Sequence, residues 1–506
     1  MLSTFRLRAG VAACMLALSA CATGPDFEAP KTEAPVASFA TAAADANTDA
    51  TPSRAVEQDV DPSWWILFKD ATLVALEGEA LAANLDLQAA AVRVGQSRAA
   101  LRMSGAALLP TVGANASGLR ELASDKGIMS LMGTSTPTIG ATAANGADPF
   151  GTASMPGSSG AAPYTLWQYG FDASWELDLW GKAHRAQEAS AAQMEAAGFD
   201  AAAVRVAITA EVARTYLELR GVQSDLRIAR ANIGIAKKSL HVAERRRLQG
   251  VATRFDTSVS QAQLATFESA LPELERRQDA LKNALALLLA KPPHALDERL
   301  AGEAEVPALP AEVPVGLPSQ LAHRRPDILR AEARLHAATA AIGVAKADFY
   351  PSISLTGSAG MQALKFSEAG DWGARQFAVG PVLHLPIFEG GRLKGKLALT
   401  EARQQEAAIG YQSTVLKAWH EVDDALVAYR SMQRRAEKLE VAVTENRRAL
   451  ANAERRYTQG AADFLSVLVT QQRLLDSENA ASRSRTDTAV AMVSLYKALG
   501  GGWKES

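Results

Sequence analysis

Few of the side chains that commonly do chemistry are spaced to do it in this chain of 506 residues. The seven histidines, at positions 184, 241, 294, 323, 336, 384 and 420, show no paired spacing with a carboxylate of the kind that binds zinc from one helix face. No GxxxxGK run is present to cradle a phosphate, and there is no nucleophile elbow. Arg245-Arg246-Arg247 is a basic triplet, but it ends a helical stretch, where cations complement the helix dipole. The two cysteines are Cys14 and Cys21. Cys14 sits inside an apolar run, so the thiol left with chemistry to do is Cys21, and a disulfide framework is excluded.

The surroundings of Cys21 say what that chemistry is. Arg6 and Arg8 precede the apolar run 9–18, which reads as a secretory signal too short to span a membrane as a mature helix. It ends in Leu18-Ser19-Ala20-Cys21, which resembles a bacterial lipobox. Residues 1–20 are then a signal peptide that takes Cys14 with it. The Cys21 thiol receives a diacylglycerol and its amino group a palmitoyl-type acyl chain. Ala22 stands where an aspartate would hold a lipoprotein at the inner membrane, so the anchor is expected in the outer membrane. Residues 21–62, rich in Ala, Pro, Thr and Asp without periodicity, read as a lipidated N-terminal tether.

A formal charge of −2 and a pI near 6.4 argue against a nucleic-acid partner. Hydrophobic residues make up 48% but aromatics only 6%, and the Ala-rich remainder is a helical composition. Beyond the signal no stretch reaches about 18 uninterrupted apolar residues. If this chain spans a membrane it must do so as a β-barrel, the other structure that satisfies its backbone in lipid.

The elements that would position a site come twice. Gly181 matches Gly391 (391 − 181 = 210), and Gly250 matches Gly460 (460 − 250 = 210). Pro110 and Pro351 are offset by 241, so the first half carries 31 extra residues (241 − 210), placed in the Gly/Ser/Ala/Thr-rich segment 119–165 as an exposed mobile loop. The first repeat is taken as 63–317, with strands at about 110–118 and 166–179, a long helix 182–249 and a helix 253–290 bent at Pro272. The second is 318–499, with strands at about 351–359 and 376–387, a long helix 392–459 and a helix 463–499. Further helices are expected over 63–108 and 318–348, and 500–506 is a C-terminal tail. Each proline-free long helix is roughly 100 Å at 1.5 Å per residue, the dimension of a coiled-coil tube rather than of a globular domain.

The strands carry the clearest pattern. From Trp167, the odd positions Tyr169, Phe171, Ala173, Trp175 and Leu177 alternate with Gln168, Gly170, Asp172, Ser174 and Glu176. Phe377, Val379, Pro381 and Leu383 alternate in the same way with Gln376, Ala378, Gly380 and Val382. Apolar faces of this length with clustered aromatics fit strands that face lipid on one side and a lumen on the other. Four strands cannot close a barrel, so copies must share one. The fold class is therefore mainly α with a membrane β-barrel, internally duplicated.

Seven segments in order resemble the TolC-like outer-membrane efflux family, in its NodT-type lipoprotein branch. They are Cys21-Ala22-Thr23-Gly24-Pro25-Asp26-Phe27, Trp64-Trp65 with Phe68-Lys69-Asp70, Asn84-Leu85-Asp86-Leu87, Arg324-Arg325-Pro326-Asp327-Ile328, Ile342-Gly343-Val344-Ala345 running into Phe349-Tyr350-Pro351, Leu385-Pro386-Ile387-Phe388-Glu389-Gly390-Gly391-Arg392, and Arg456-Tyr457-Thr458-Gln459-Gly460. The resemblance implies a homotrimer with a twelve-stranded barrel and a long periplasmic extension, needing no cofactor beyond the lipid. It implies docking on a periplasmic adaptor and on an inner-membrane pump, commonly a proton-driven one of the resistance-nodulation-division class. It implies passive conduction of small molecules through an iris-like gate, without catalysis. By position, Leu465 and Val469 fall where relatives place a leucine and an aspartate, so an apolar constriction is expected. Asp256, Asp463 and Arg254 are further gate candidates, the last two as a pair; the alternative for all three charges is that they are solvated or cap the helix starts. Gly250, Val251, Gly460 and Ala461 are the candidate adaptor-facing turns, where simple helix termination also wants glycine. A periplasmic scaffold would share the long helices but not the four strands; an enzyme would need clustered reactive residues.

Overall fold

The computed structural model describes residues 23–30, 53–122, 163–316, 319 and 321–504. The signal peptide, Cys21, most of the segment up to Ser53 and the bulk of the first-half insertion lie outside the described residues. The chain packs as two units. The first comprises the described parts of Met1–Glu28, Ser97–Met194 and Arg334–Ala407; the second those of Ala29–Gln96, Glu195–Ala333 and Ala408–Ser506.

The first unit is built on a four-stranded antiparallel sheet. Its strands are β2 (Thr111–Glu121), β3 (Tyr164–Leu177), β5 (Ser352–Ala363) and β6 (Arg375–His384), in that order, which leaves β2 and β6 as unpaired edges. A short pair, β1 (Arg54–Val56) and β4 (Glu312–Pro314), runs parallel in the second unit. The register decides the sheet's chemistry, because opposed residues in an antiparallel pair share a face. Ala114 opposes Phe171, and Phe171 opposes Ala359, which opposes Phe377. Trp175 opposes Leu355, and Leu355 opposes Pro381. One face is thus apolar across all four strands. The other carries Asn115 against Gly170, Ser174 against Thr356, and Ser352 against His384.

Phe171, Phe377 and Val379 are 63%, 78% and 77% exposed, a cost no isolated soluble sheet would bear on a whole face. Aromatics collect at both ends of the sheet. Trp167 meets Phe366 edge-on at 5.0 Å, and the Tyr169 hydroxyl donates to the Ala369 carbonyl at 2.8 Å. At the other end Trp180 stacks on Tyr350 at 4.7 Å and donates its indole N–H to the Pro351 carbonyl at 2.7 Å. The strand expected over 376–387 stops at His384, because Pro386 brings no backbone donor to the ladder. The strand expected to reach 179 stops at Leu177. There the Asp178 carboxylate accepts from the amides of Ala183 (3.0 Å) and His184 (2.9 Å) and opens the next helix.

The helices are α1 (Ala71–Ala83), α2 (Leu85–Ala106), α3 (Lys182–Leu248), α4 (Arg254–Ser269), α5 (Leu271–Leu288), α6 (Leu321–Arg324), α7 (Pro326–Ala347), α8 (Arg392–Thr458) and α9 (Phe464–Ala498). The long α3 and α8 each hold 67 residues. Three expected helices are broken, each for a local reason. Over 63–108 a 3₁₀ turn at Trp64–Phe68 is followed by Asp70 capping α1 and Asn84 capping α2, the Asn84 side chain accepting from the amides of Asp86 (2.9 Å) and Leu87 (3.1 Å). Over 318–348 the break is at Arg325, before Pro326, whose ring disfavours helical geometry in the residue it follows. Over 253–290 the helix does end, at Ala270, and Pro272 lies in the first turn of α5, where a missing N–H costs nothing.

The second unit's core gathers Trp64, Leu73, Leu76, Tyr216, Leu285 and Tyr496, with Trp64 stacked on Tyr496 at 5.2 Å. Glu77 is fully enclosed in this unit with neither carboxylate oxygen hydrogen-bonded; burial pushes its pKa up to about 9, so it is neutral at pH 7. Described residues of the C-terminal tail are hydrogen-bonded within the second unit. The Gly501 amide donates to the Tyr496 carbonyl at 2.9 Å, and the Trp503 indole to the Arg324 carbonyl at 2.9 Å.

Candidate functional site

Among the described residues no group of three or more His, Cys, Asp or Glu is arranged to hold a metal ion, and no helix is long and apolar enough to cross a membrane. What the second unit presents instead is a pair of helix-to-helix turns with the same backbone and different side chains.

Each turn is a Schellman motif. Gly250 (φ +74°) donates to the Arg247 carbonyl at 3.0 Å, and Val251 reaches back to Arg246 at 2.9 Å. Gly460 (φ +73°) donates to Tyr457 at 3.0 Å, and Ala461 to Arg456 at 2.8 Å. Every partner is displaced by 210 positions from its counterpart. The left-handed φ at the two glycines is what an L side chain resists, which is why the sequence carries glycine at both.

The helices that follow are both capped by one hydroxyl and one carboxylate, with their positions exchanged. On α4, Thr253 is the N-cap and Asp256 completes a capping box: the Thr253 hydroxyl accepts from the Asp256 amide, while the Asp256 carboxylate accepts from the Thr253 amide at 2.8 Å. On α9, Asp463 is the N-cap and accepts from both the amide (3.0 Å) and the hydroxyl of Ser466. The Ser466 hydroxyl and amide hold the Asp463 pKa below the ordinary 3.8. Asp463 therefore makes no ion pair with Arg254 among the described residues; its carboxylate is taken up by Ser466. Asp256 is taken up by its cap as well.

Apolar side chains differ more. Behind the second turn, Tyr457 and Phe464 pack with ring centroids 5.1 Å apart in a cluster with Ala243, Leu450, Val467, Leu468 and Leu474. The positions 210 earlier are Arg247 and Arg254, both exposed. The first turn instead displays Leu248, Val251 and Phe255 at 81%, 64% and 70% exposure. Leu465 and Val469 are also on the surface of the chain, at 56% and 41%. Arg246 ties the turns together: its Nη1 donates to the Tyr457 carbonyl at 2.7 Å and its guanidinium lies 4.3 Å from the Tyr457 ring centroid. Further along, Gln263 donates to Gln472 at 2.8 Å. The bridging role of Arg246 was not legible as such, since it stands inside a basic triplet that helix termination explains. The hydroxyl–carboxylate exchange could have been found from the T-x-x-D and D-x-x-S spacing after each glycine.

The family model described as outer membrane efflux protein matches residues 76–291 and 317–501. The chain is similar to outer membrane protein OprJ of Pseudomonas aeruginosa, 34% identical over 502 residues that cover 98% of this chain and 96% of that protein. It is 30% identical over 490 residues to the antibiotic efflux pump outer membrane protein ArpC of Pseudomonas putida, covering 96% of this chain and 94% of ArpC. Among solved structures, the outer-membrane channel OprN superposes with a TM-score of 0.83 at 30% identity, over 96% of this chain and 100% of that one. The chain shares its fold with OprN, and it belongs to the outer membrane efflux protein family.

Proposed function

We propose that three copies of this chain close their sheets edge to edge, β6 of one onto β2 of the next, into a twelve-stranded barrel that conducts exported small molecules across the outer membrane. The observation that carries this is the sheet itself: strands of 10 to 14 residues, one continuous apolar face, one polar face and two unpaired edges. Strands of about 9 to 11 residues suffice to span a bilayer, and only closure satisfies the edge backbone in lipid. In this reading the protein is the outer-membrane part of a tripartite efflux system, fed by an inner-membrane pump of the proton-driven class through a periplasmic adaptor. Cys21 bears the lipid.

The adaptor meets the turns at Gly250–Val251 and Gly460–Ala461, with Leu248, Val251 and Phe255 as its apolar footing. Leu465 and Val469 supply an apolar constriction at the periplasmic entrance. Asp256 and Asp463 serve as caps that hold the helix starts in place, which supports an apolar ring over a charged one. Dewetting of an apolar constriction is enough to gate a narrow pore.

Purified protein in planar bilayers tests the proposal. Leu465→Ser is expected to conduct severalfold more than the unaltered channel; no conductance from either, with no detergent-stable oligomer, would sink it. Separately, Cys21→Ser should abolish incorporation of labelled palmitate, and label persisting in that variant refutes the lipid assignment.

A further inference from the structure

Two of the sequence motifs, Cys21 to Phe27 and Ile342 to Ala345, have no part in conduction or in the turns. The first unit brings them together. The Thr23 amide and hydroxyl both donate to the Trp180 carbonyl, at 3.1 and 3.0 Å, and the Thr23 carbonyl accepts from Arg185 Nε at 3.3 Å. Gly24 (φ +103°) lies so close to α7 that a Cβ on it would be 2.5 Å from Gly343 Cα. A Cβ on Gly343 would in turn be 2.6 Å from the Thr23 carbonyl oxygen and 2.8 Å from Arg185 Cγ. The two glycines are a backbone-to-backbone contact that no other residue type permits. Arg185, its side chain only 8% exposed, then holds Asp26 at 2.5 Å and Glu188 at 2.7 Å. Phe27 stacks on the His336 ring at 4.5 Å and 14°, and His336 Nε2 is 2.9 Å from Glu188 Oε1.

A loose tether has no use for this fit. Trp180, whose carbonyl holds Thr23, also stacks on Tyr350 and bonds the Pro351 carbonyl at the foot of the sheet. Position 21 is two residues from Thr23, a reach of at most about 7 Å at ~3.5 Å per residue. A flexible run spanning positions 21 to 53 would range over roughly 30 Å. We propose that residues 23–27 form a clasp that fixes the acylated N-terminus at the foot of the sheet, so that the acyl chains enter the leaflet beside the barrel's aromatic end. The positioning role rests on acylation of Cys21; the clasp does not.

Two measurements separate these. In Cys21→Ser protein, which cannot carry the lipid, amide exchange of the segment holding Thr23 is expected to be slower than in a free peptide by at least about tenfold, and Gly343→Ala should erase that protection. Asp26→Ala, which removes one carboxylate from Arg185 and leaves the glycine contact intact, should erode it partly and guards against a misfolded glycine variant. Peptide-like exchange in the Cys21→Ser protein overturns the clasp. In the acylated protein, Gly343→Ala is expected to keep its palmitate label but insert into vesicles and trimerise severalfold more slowly. Unchanged insertion by labelled Gly343→Ala overturns the positioning role. No label on the unaltered protein overturns acylation and positioning together, while the exchange experiment still decides the clasp.

Discussion

The turn at Gly250 and the turn at Gly460 have the same backbone and different side chains packed behind it. Both end a 67-residue helix in a Schellman motif, and both open the next helix with a hydroxyl bonded to a carboxylate. Around the second, Tyr457 and Phe464 are buried in an apolar cluster; around the first, the matching Arg247 and Arg254 are in solvent and Leu248, Val251 and Phe255 stand exposed. Duplication keeps what backbone geometry requires and releases what packing does not. The second turn is anchored to the helices beneath it, and the first leans on the second through Arg246. A turn that displays Leu248, Val251 and Phe255 is suited to being covered by a partner.

The comparison breaks most severely at the aromatic pair. Tyr457→Ala or Phe464→Ala is expected to cost about 3–5 kcal/mol, as for buried aromatics generally, against within about 0.5 kcal/mol for Arg247→Ala or Arg254→Ala. Chemical denaturation followed near the tip reads the difference, and equal costs at the matched positions would erase the asymmetry. Next comes Arg246→Ala, expected to remove about 1.5–3 kcal/mol, the usual range for a hydrogen bond to a charged group. It should also raise amide exchange at Gly250 more than at Gly460; faster exchange confined to Gly460 would reverse the dependence drawn here.

The caps come third. Thr253→Ala should lower stability by about 1 kcal/mol, and both it and Asp463→Ala should fray only the first turn of the helix they cap, α4 or α9. The lowered Asp463 pKa means its contribution is present above the ordinary 3.8 and is lost as pH falls through the folded value, so α9 should fray in acid below that point. An α9 start as firm in acid as at neutral pH would contradict the Asp463 assignment. The smallest effect is expected from exchanging the groups on α4. Thr253→Asp with Asp256→Ser should leave stability within about 0.5 kcal/mol of the unaltered protein, because it installs the arrangement α9 already uses.

The fold class was legible from Trp167, Phe171 and Trp175 alternating with Gln168, Asp172 and Glu176, because side-chain direction in a strand is a local property that repeats every two residues. The duplication was legible from the glycines, whose left-handed φ few other residues tolerate. Helix breaks at Asn84, Ala270 and Arg325 were harder to see, since each turns on a few local bonds competing with strong helical composition. At the candidate gate the sequence left a gate role and a capping or solvated role open for Asp256 and Asp463, because the competing hydrogen bonds are local; both carboxylates make capping bonds. The bridge from Arg246 to Tyr457 joins residues 211 positions apart, and the contact of Gly24 with Gly343 spans 319 (343 − 24). Sequence alone determined which stretches are strand, helix and turn in kind, because those preferences act over a few bonds. Only the tertiary structure decided which face is apolar across four strands, which turn is anchored and where the N-terminal segment is held, because register and close packing are set between residues far apart in the chain.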